Sequence, residues 1–236
     1  MVGVLNRTDT YHEWAAAEPW VACRWSQEVH ADIDHRVVPD GCADIIVTDR
    51  GAIAVGLADA AFVHALAGGS WCVGVRLRPG AVRAVLGVPG LELRNASVAL
   101  DDVVGAARAR TLIDVVVDEQ ALPGDLEPEV TGALTLLRSR SVDEAAGAMG
   151  ISARHLRRLL LDTTGLGPKD HQRVMRFRAF LASAERGMPL AAAAAEAGYA
   201  DQPHLTREVR RLSGLTPAAL LASRSSSAAL RSTPQR

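Results

Sequence analysis

The strongest constraint on this chain is an echo inside its C-terminal half. The first copy runs Ser141, Ala146, Gly150, Ser152 and then Arg154, His155, Arg157 and Arg158. The second runs Ala194, Gly198, Asp201 and then Gln202, His204, Arg207 and Arg210. Each copy demands a helix, a sharp turn and a second helix. Ser141 with Glu144 three residues on reads as a capping box. Ala146 and Ala194 are small where two helices must approach closely. Gly150 and Gly198 tolerate the left-handed conformation that such a turn needs. Ser152 and Asp201 can cap the second helices, and Pro203 falls in a first turn, where its missing N–H costs little. Met149, Ile151, Leu156 and Leu159 form the apolar positions of the first pair, which leaves the arginines facing out. The pattern is a doubled helix-turn-helix with a basic second helix in the first copy.

Between the copies, Pro168 opens and Gly187 closes a helix to about Arg186, with Val174, Phe177, Phe180 and Leu181 on its inward side. At ~1.5 Å per residue it is a rod of about 28 Å. Such a rod can set two recognition helices into successive major-groove turns, which lie ~34 Å apart.

Charge divides the same way. From Arg138 to the end, 16 basic residues stand against 8 acidic ones, a net of +8, while the rest of the chain holds 10 basic and 19 acidic, a net of −9. A basic half joined to an acidic one points to a polyanion-binding module attached to something else. Lys169 is the only lysine, so the basic groups are arginines, suited to bidentate phosphate or guanine contacts. No apolar run reaches the ~18 residues of a membrane span, and the first residues lack the apolar stretch of a signal peptide. The expectation is a cytoplasmic protein, nucleoid-associated when bound to DNA, without a membrane partner.

The segment from Ser141 to about Leu221 resembles the DNA-binding domain of AraC/XylS-type transcriptional regulators. The residues that carry the resemblance are Gly198-Tyr199-Ala200-Asp201-Gln202-Pro203-His204-Leu205-Thr206-Arg207 and Gly214-Leu215-Thr216-Pro217. It implies sequence-specific binding of duplex promoter or operator DNA by two helix-turn-helix units. By position, Arg154, Arg157 and Arg158 match the base-reading or phosphate-contacting face of the first recognition helix, Gln202, His204 and Arg207 that of the second, and Arg176 a basic position of the connecting helix. His155 and Arg210 lie on the same outward faces. An aromatic common near the end of the second recognition helix is Val209 here, and Leu220-Leu221 replace a final aromatic.

Upstream, short apolar runs at Val37-Val38, Ile45–Val47, Ile53–Val55 and Trp71–Leu77 alternate with turns at Pro39-Asp40-Gly41, Asp49-Arg50-Gly51, Gly68-Gly69 and Pro79-Gly80. A helix from Ala81 ends at Gly87, and another spans Ala106 to Val117 with Asp101 and Asp102 near its start. Val37 to Ile46 and Gly74 to Ala81 resemble an uncharacterised N-terminal domain of such regulators, similar in outline to cupin-like sensor domains. The fold class expected is α+β: a β-rich, cupin-like domain over 1–128 for sensing or dimerisation, an all-α domain over 129–224, and a disordered polar tail over 225–236. The hinge falls near Pro123–Pro128.

Trp25, Cys42, Asp44 and Arg76 are the candidate ligand-binding residues. The alternative is structural: Trp14, Trp20, Trp25 and Trp71 as core, and Asp40, Asp44, Arg76 and Arg78 as paired charges. Cys23, Cys42 and Cys72 form no CxxC pair, which excludes a disulfide framework. His30, His35 and His64 lack cupin metal spacing, so neither a catalytic metal nor another cofactor is expected. Two rivals stand beside a transcription factor: a thiol- or metal-responsive switch using Cys42, and an enzyme in the β domain, which no Ser/His/Asp order or phosphate-cradling loop supports. A small-molecule effector, RNA polymerase and a second copy in a homodimer stay open as partners.

Overall fold

The computed structural model describes residues 2–3 and 10–228. Nine strands form two antiparallel sheets among the described residues: β1 (Val2–Gly3), β2 (Thr10–Trp14), β3 (Val21–Glu28), β4 (Ile33–Val38), β5 (Ala43–Thr48), β6 (Gly51–Val55), β7 (Phe62–Leu66), β8 (Trp71–Leu77) and β9 (Ser97–Ala99). The larger sheet has the order β2-β3-β8-β5-β6-β9 and the smaller β1-β4-β7. Alternation in β8 places Val73, Val75 and Leu77 on one face, and Val75 and Leu77 are wholly buried there. With Ile45 and Val47 of β5 they receive α3 (Ala106–Val117), whose Leu112 and Val115 are buried, while α2 (Leu100–Val104), with Leu100 buried, lies against β6 and β9. Arg76, on the opposite face of β8, is also buried, so this sheet is covered on both sides at its centre.

The short runs expected as strands fall in β4, β5, β6 and β8. The central strand β3 carries polar Arg24, Ser26 and Gln27 among its apolar residues and shows no clean alternation. The helix expected from Ala106 is present, but Asp101 and Asp102 belong to α2, which ends where Gly105 turns the chain at φ 78°. Trp71 is 44% exposed, a correction to its expected place in the core. It begins its strand at the sheet end, opposite Glu28 of β3.

Two more helices complete the β-rich part and its exit: α1 (Ala81–Leu86) and, after a 3₁₀ turn at Gly90–Leu93, α4 (Pro128–Leu136). The loop before α4 is tied down at its start. Leu122 is buried, its N–H donates to Glu18 (2.6 Å), and its carbonyl accepts from Trp20 (3.1 Å). Glu18 also pairs with buried Arg24 at 3.1 Å. Against the opposing cost of burial, the Leu122 N–H and Arg24 hold the Glu18 carboxyl below the usual carboxylate range. The segment expected as a hinge, Pro123–Pro128, is thus anchored at its start, and Gly124 packs so closely that a Cβ there would lie 3.2 Å from Trp20 Nε1.

From α4 onward the described chain is all helix: α5 (Val142–Ala148), α6 (Ala153–Thr164), α7 (Pro168–Glu185), α8 (Leu190–Glu196), α9 (Gln202–Ser213) and α10 (Pro217–Ala228). The tail expected from Ser225 is helical through Ala228, because serine is only moderately unfavourable in a helix already nucleated at Pro217. Residues 229–236 lie outside the described residues.

Packing divides the chain differently from charge. One small core holds Ala133, Leu137, Ala145, Ala146, Leu156 and Leu160, from α4, α5 and α6. A second, larger core runs without a break from the sheets through Val174, Phe177 and Phe180 of α7 to Leu205, Val209 and Leu212 of α9. Val209 thus fills an apolar site although it is smaller than the aromatic it replaces. Polar contacts follow the same route. Arg36 donates to the Ser213 carbonyl (3.1 Å), the Ala61 N–H to that of Leu212 (2.7 Å), and Arg178 to that of Asp40 (3.0 Å). The 3₁₀ turn meets the end of α6 backbone to backbone. A Cβ at Gly90 would lie 2.8 Å from the Gly165 nitrogen, and Arg83 of α1 pairs with Asp162.

His171 of α7 is only 3% exposed. Burial, reinforced by the charge of Arg178, pushes its pKa down to about 4. The unfolded chain takes up a proton near pH 6.5, and the folded one does not until about pH 4, so stability is lost as pH falls through that window. By pH 5.5 the loss should be about 1.4 kcal/mol relative to neutral pH. Urea unfolding of wild type and His171→Gln at pH 7.5 and 5.5 tests it. An equal pH response in both would remove His171 as the cause.

Candidate nucleic-acid interface

Both second helices of the echo start where their caps place them. Ser141 accepts from the Glu144 N–H while Glu144 accepts from the Ser141 N–H (2.8 Å), a complete capping box on α5. Ser152 accepts from the His155 N–H (3.1 Å) at the start of α6, and Asp201 from the His204 N–H (2.6 Å) at the start of α9. Gly150 and Gly198 turn the chain at φ 68° and 79°, values that favour glycine. On α6, Leu156 and Leu160 face the small core, which leaves Arg154, Arg157 and Arg158 exposed at i, i+3 and i+4. On α9, Leu205, Val209 and Leu212 face inward, and Gln202, Arg207 and Arg210 are exposed. Among the described residues none of these five arginines takes part in an ion pair, so all five guanidiniums are available to an incoming anion.

Two expected contact residues are committed elsewhere. His155 is half-buried, and its Nε2 lies 3.8 Å from Glu129 of α4. His204 accepts from the Ala200 N–H through Nδ1 (3.3 Å), and its ring meets that of Tyr199 edge-on, centroids 5.3 Å apart. Both histidines sit in the first turn, where the side chain leans back on the preceding turn. Arg176 of the connecting helix lies 5.7 Å from the Tyr199 ring centroid and supports the second unit through that ring.

Sequence reading missed a group at the joint between the units. Arg173 lies 3.0 Å from Asp170 and 3.5 Å from Glu208 of α9, and Arg211 lies 3.8 Å from Asp170. Arg157, Lys169 and Arg173 also line a recess of about 330 Å³ with Val142 and Pro168. The run from Pro168 to Arg173 betrays none of this, because the partners come from α6 and α9.

In the β-rich part, three of the four candidate ligand residues meet. Trp25 Nε1 donates to Asp44 Oδ1 (2.8 Å), and Arg76 Nε lies 3.3 Å from the same oxygen. The indole lies flat across Gly74, where a Cβ would be 2.5 Å from Cε2, so the tryptophan needs glycine opposite it. Arg76 further donates to Glu13 (3.0 Å) and to the Tyr11 hydroxyl (3.4 Å). Burial opposes the charge on Arg76, but Asp44 and its other neighbours hold it protonated. Cys42 stands apart from that contact set. It is buried in the preceding turn, and its N–H donates to Asp40 Oδ1 (2.9 Å). All three cysteines are free. Burial pushes the Cys72 thiol up to about 12 and raises that of Cys23, so neither is a ready thiolate. Among the described residues, no three His, Cys, Asp or Glu side chains gather as a metal site.

Residues 145–223 match a protein family described as a helix-turn-helix domain. The C-terminal part is an AraC-type helix-turn-helix domain. Residues 15–99 match a domain of unknown function (DUF6597). No curated protein sequence matches the chain. Among solved structures it is similar to an apo form of ToxT from Vibrio cholerae, at 9% identity and TM-score 0.45, over 91% of this chain and 96% of that one. A second ToxT structure gives 10%, 0.43, 92% and 98%. ToxT bound to (E)-4-(8-methylnaphthalen-1-yl)but-3-enoic acid gives 9%, 0.42, 92% and 98%. The AraC-type domain supports a DNA-binding transcription regulator, and no described helix is long and apolar enough to cross a membrane.

Proposed function

We propose that this chain is a sequence-specific transcription regulator that reads duplex DNA with α6 and α9 in successive major-groove turns. Residues 129–224 hold the reader, and residues 1–128 receive a signal. The observation that carries this is the pair of exposed faces, Arg154, Arg157 and Arg158 on one helix and Gln202, Arg207 and Arg210 on the other. The 18-residue α7 joins them, about 27 Å of helix against the ~34 Å groove repeat. Phosphate contacts supply affinity and base-edge contacts supply specificity. His155 and His204 serve this reading as supports of their own helix starts, with a smaller share in DNA contact than the arginines.

The test is selection of bound fragments from a random duplex library by the purified full chain. The expected product is a two-part site with half-sites about 10 base pairs apart centre to centre, and with affinity falling steeply as salt rises. Enrichment of no motif, or of single half-sites only, would refute the two-helix reading.

A further inference from the structure

The recess of about 330 Å³ at the joint between the units has a charge pattern that the two recognition faces do not account for. Its lining is apolar at Leu161 and Pro168 and charged at Arg157, Lys169, Asp170 and Arg173. Asp170 is the one carboxylate in that lining, and it is already engaged, by Arg173 at 3.0 Å and by Arg211 at 3.8 Å. Arg173 is engaged in turn, by Asp170 and by Glu208 of α9 at 3.5 Å. Arg157 and Lys169 are exposed, and neither takes part in an ion pair among the described residues. Two free cationic groups thus border one concave site. A cleft lined by one sign of charge concentrates ions of the other.

Position selects among the anions. Arg157 belongs to two surfaces: the exposed face of α6, with Arg154 and Arg158, and the recess. The recess therefore adjoins the face that reads the first half-site. Arg173, in the same lining, reaches Glu208 on the second recognition helix. An anion seated here lies at the junction of the two readers. A duplex that runs from α6 to α9 presents a phosphate at every nucleotide step of each strand.

We propose that this recess seats one backbone phosphate of the duplex, in the stretch between the two half-sites. Lys169 and Arg157 hold the phosphate, and Arg173 is a positioning residue that ties the start of α7 to α9. A phosphate contact carries no base information and fixes register and orientation. The seat thus sets where the first unit stands along the duplex. A free phosphate would satisfy the same charges, but it gives no reason for the recess to share Arg157 with a recognition face. This inference rests on the proposed reading of DNA by α6 and α9. It adds Lys169, which lies on neither face, and a contact between the half-sites.

The test uses the full chain and the selected operator duplex, with each phosphodiester replaced in turn by an uncharged methylphosphonate. For wild type, one neutral linkage between the half-sites should weaken binding about three- to tenfold at about 0.1 M salt. Lys169→Gln should weaken binding of the intact operator by a similar factor and be indifferent to that same linkage. It should weaken a scrambled duplex as much as the operator and leave base preference unchanged. The slope of log affinity against log salt should become shallower by about 0.9. Lys169→Glu, which reverses the charge at this exposed position, should weaken binding further. A Lys169→Gln variant that binds like wild type, equal sensitivity of both proteins at every linkage, or a changed base preference overturns the seat. Saturable binding of inorganic phosphate to the free chain, lost in Lys169→Gln with duplex affinity unchanged, assigns the recess to a free anion and overturns it as well. Failure of wild type to select any operator refutes the DNA reading and the seat with it, whereas a tight wild-type complex untouched by Lys169→Gln refutes the seat alone.

Discussion

Replacing Arg158 or Arg207 with alanine should weaken binding to the selected operator by ~1–3 kcal/mol each, about five- to 150-fold. Each guanidinium is exposed, outside any ion pair among the described residues, and opposite a buried leucine of its own helix, Leu156 or Leu205. Little else can absorb the loss. The two arginines stand on helices joined by 18 residues of α7 and share no partner among the described residues, so their effects should add in the double variant, to ~2–6 kcal/mol. Base preference should relax in one half-site for Arg158→Ala and in the other for Arg207→Ala. Arg110→Ala, exposed on α3 in the acidic half, should change nothing. Fluorescence anisotropy on labelled operator duplexes with each half-site scrambled in turn reads both effects. If the single variants bind as tightly as wild type, or lose preference in the same half-site, the two faces have been assigned wrongly.

The exposure of these arginines is legible in the sequence itself. Caps, turn glycines and helical spacing are local signals. They placed Ser141, Gly150, Ser152 and the faces of α6 and α9 because each acts within a few residues of chain. The histidines show where locality ends. His155 and His204 occupy outward positions in sequence, yet their partners are Glu129 of another helix and the Tyr199 ring. In the β-rich part, Asp44 and Arg76 read from sequence as pocket or, in preference, as paired charges, and strand register alone brings them opposite each other. Register is a long-range property, and a central strand such as β3, polar on part of both faces, hides it.

The two cores change what the connecting helix does. A rod between two similar units would be packed alike at both ends. Instead α7 belongs to the core that includes the sheets and the second unit, whereas the first unit has a small core of its own around Leu156 and Leu160. Contacts from the β-rich part then reach the C-terminal ends of both recognition helices, through Gly90 and Arg83 to α6 and through Arg36 and Ala61 to α9. Any shift of the β-rich part therefore acts on the angle between the units and leaves the arginine faces themselves intact. Under the proposed two-helix reading, spacing preference between half-sites is the property through which a signal should show first.

The largest effect on stability follows from the same division. Phe180 of α7 is fully buried, and its ring meets Tyr199 edge-on at 6.2 Å, while Tyr199 meets His204 at 5.3 Å. Phe180→Ala removes the inner member of this stack and leaves a cavity beneath the turn of the second unit, at a cost of ~3–5 kcal/mol. The cost should not be shared evenly. Amide exchange in α8 and α9 should accelerate by about 150-fold or more where it proceeds through opening of the larger core. Amides of α5 and α6, held by Ala145, Ala146, Leu156 and Leu160 in the small core, should keep their rates. Binding to DNA should then weaken at the half-site read by α9 while the half-site read by α6 holds. Equal loss of protection in α6 and α9 would mean that the two cores unfold as one, and that the first unit draws its stability from α7 after all.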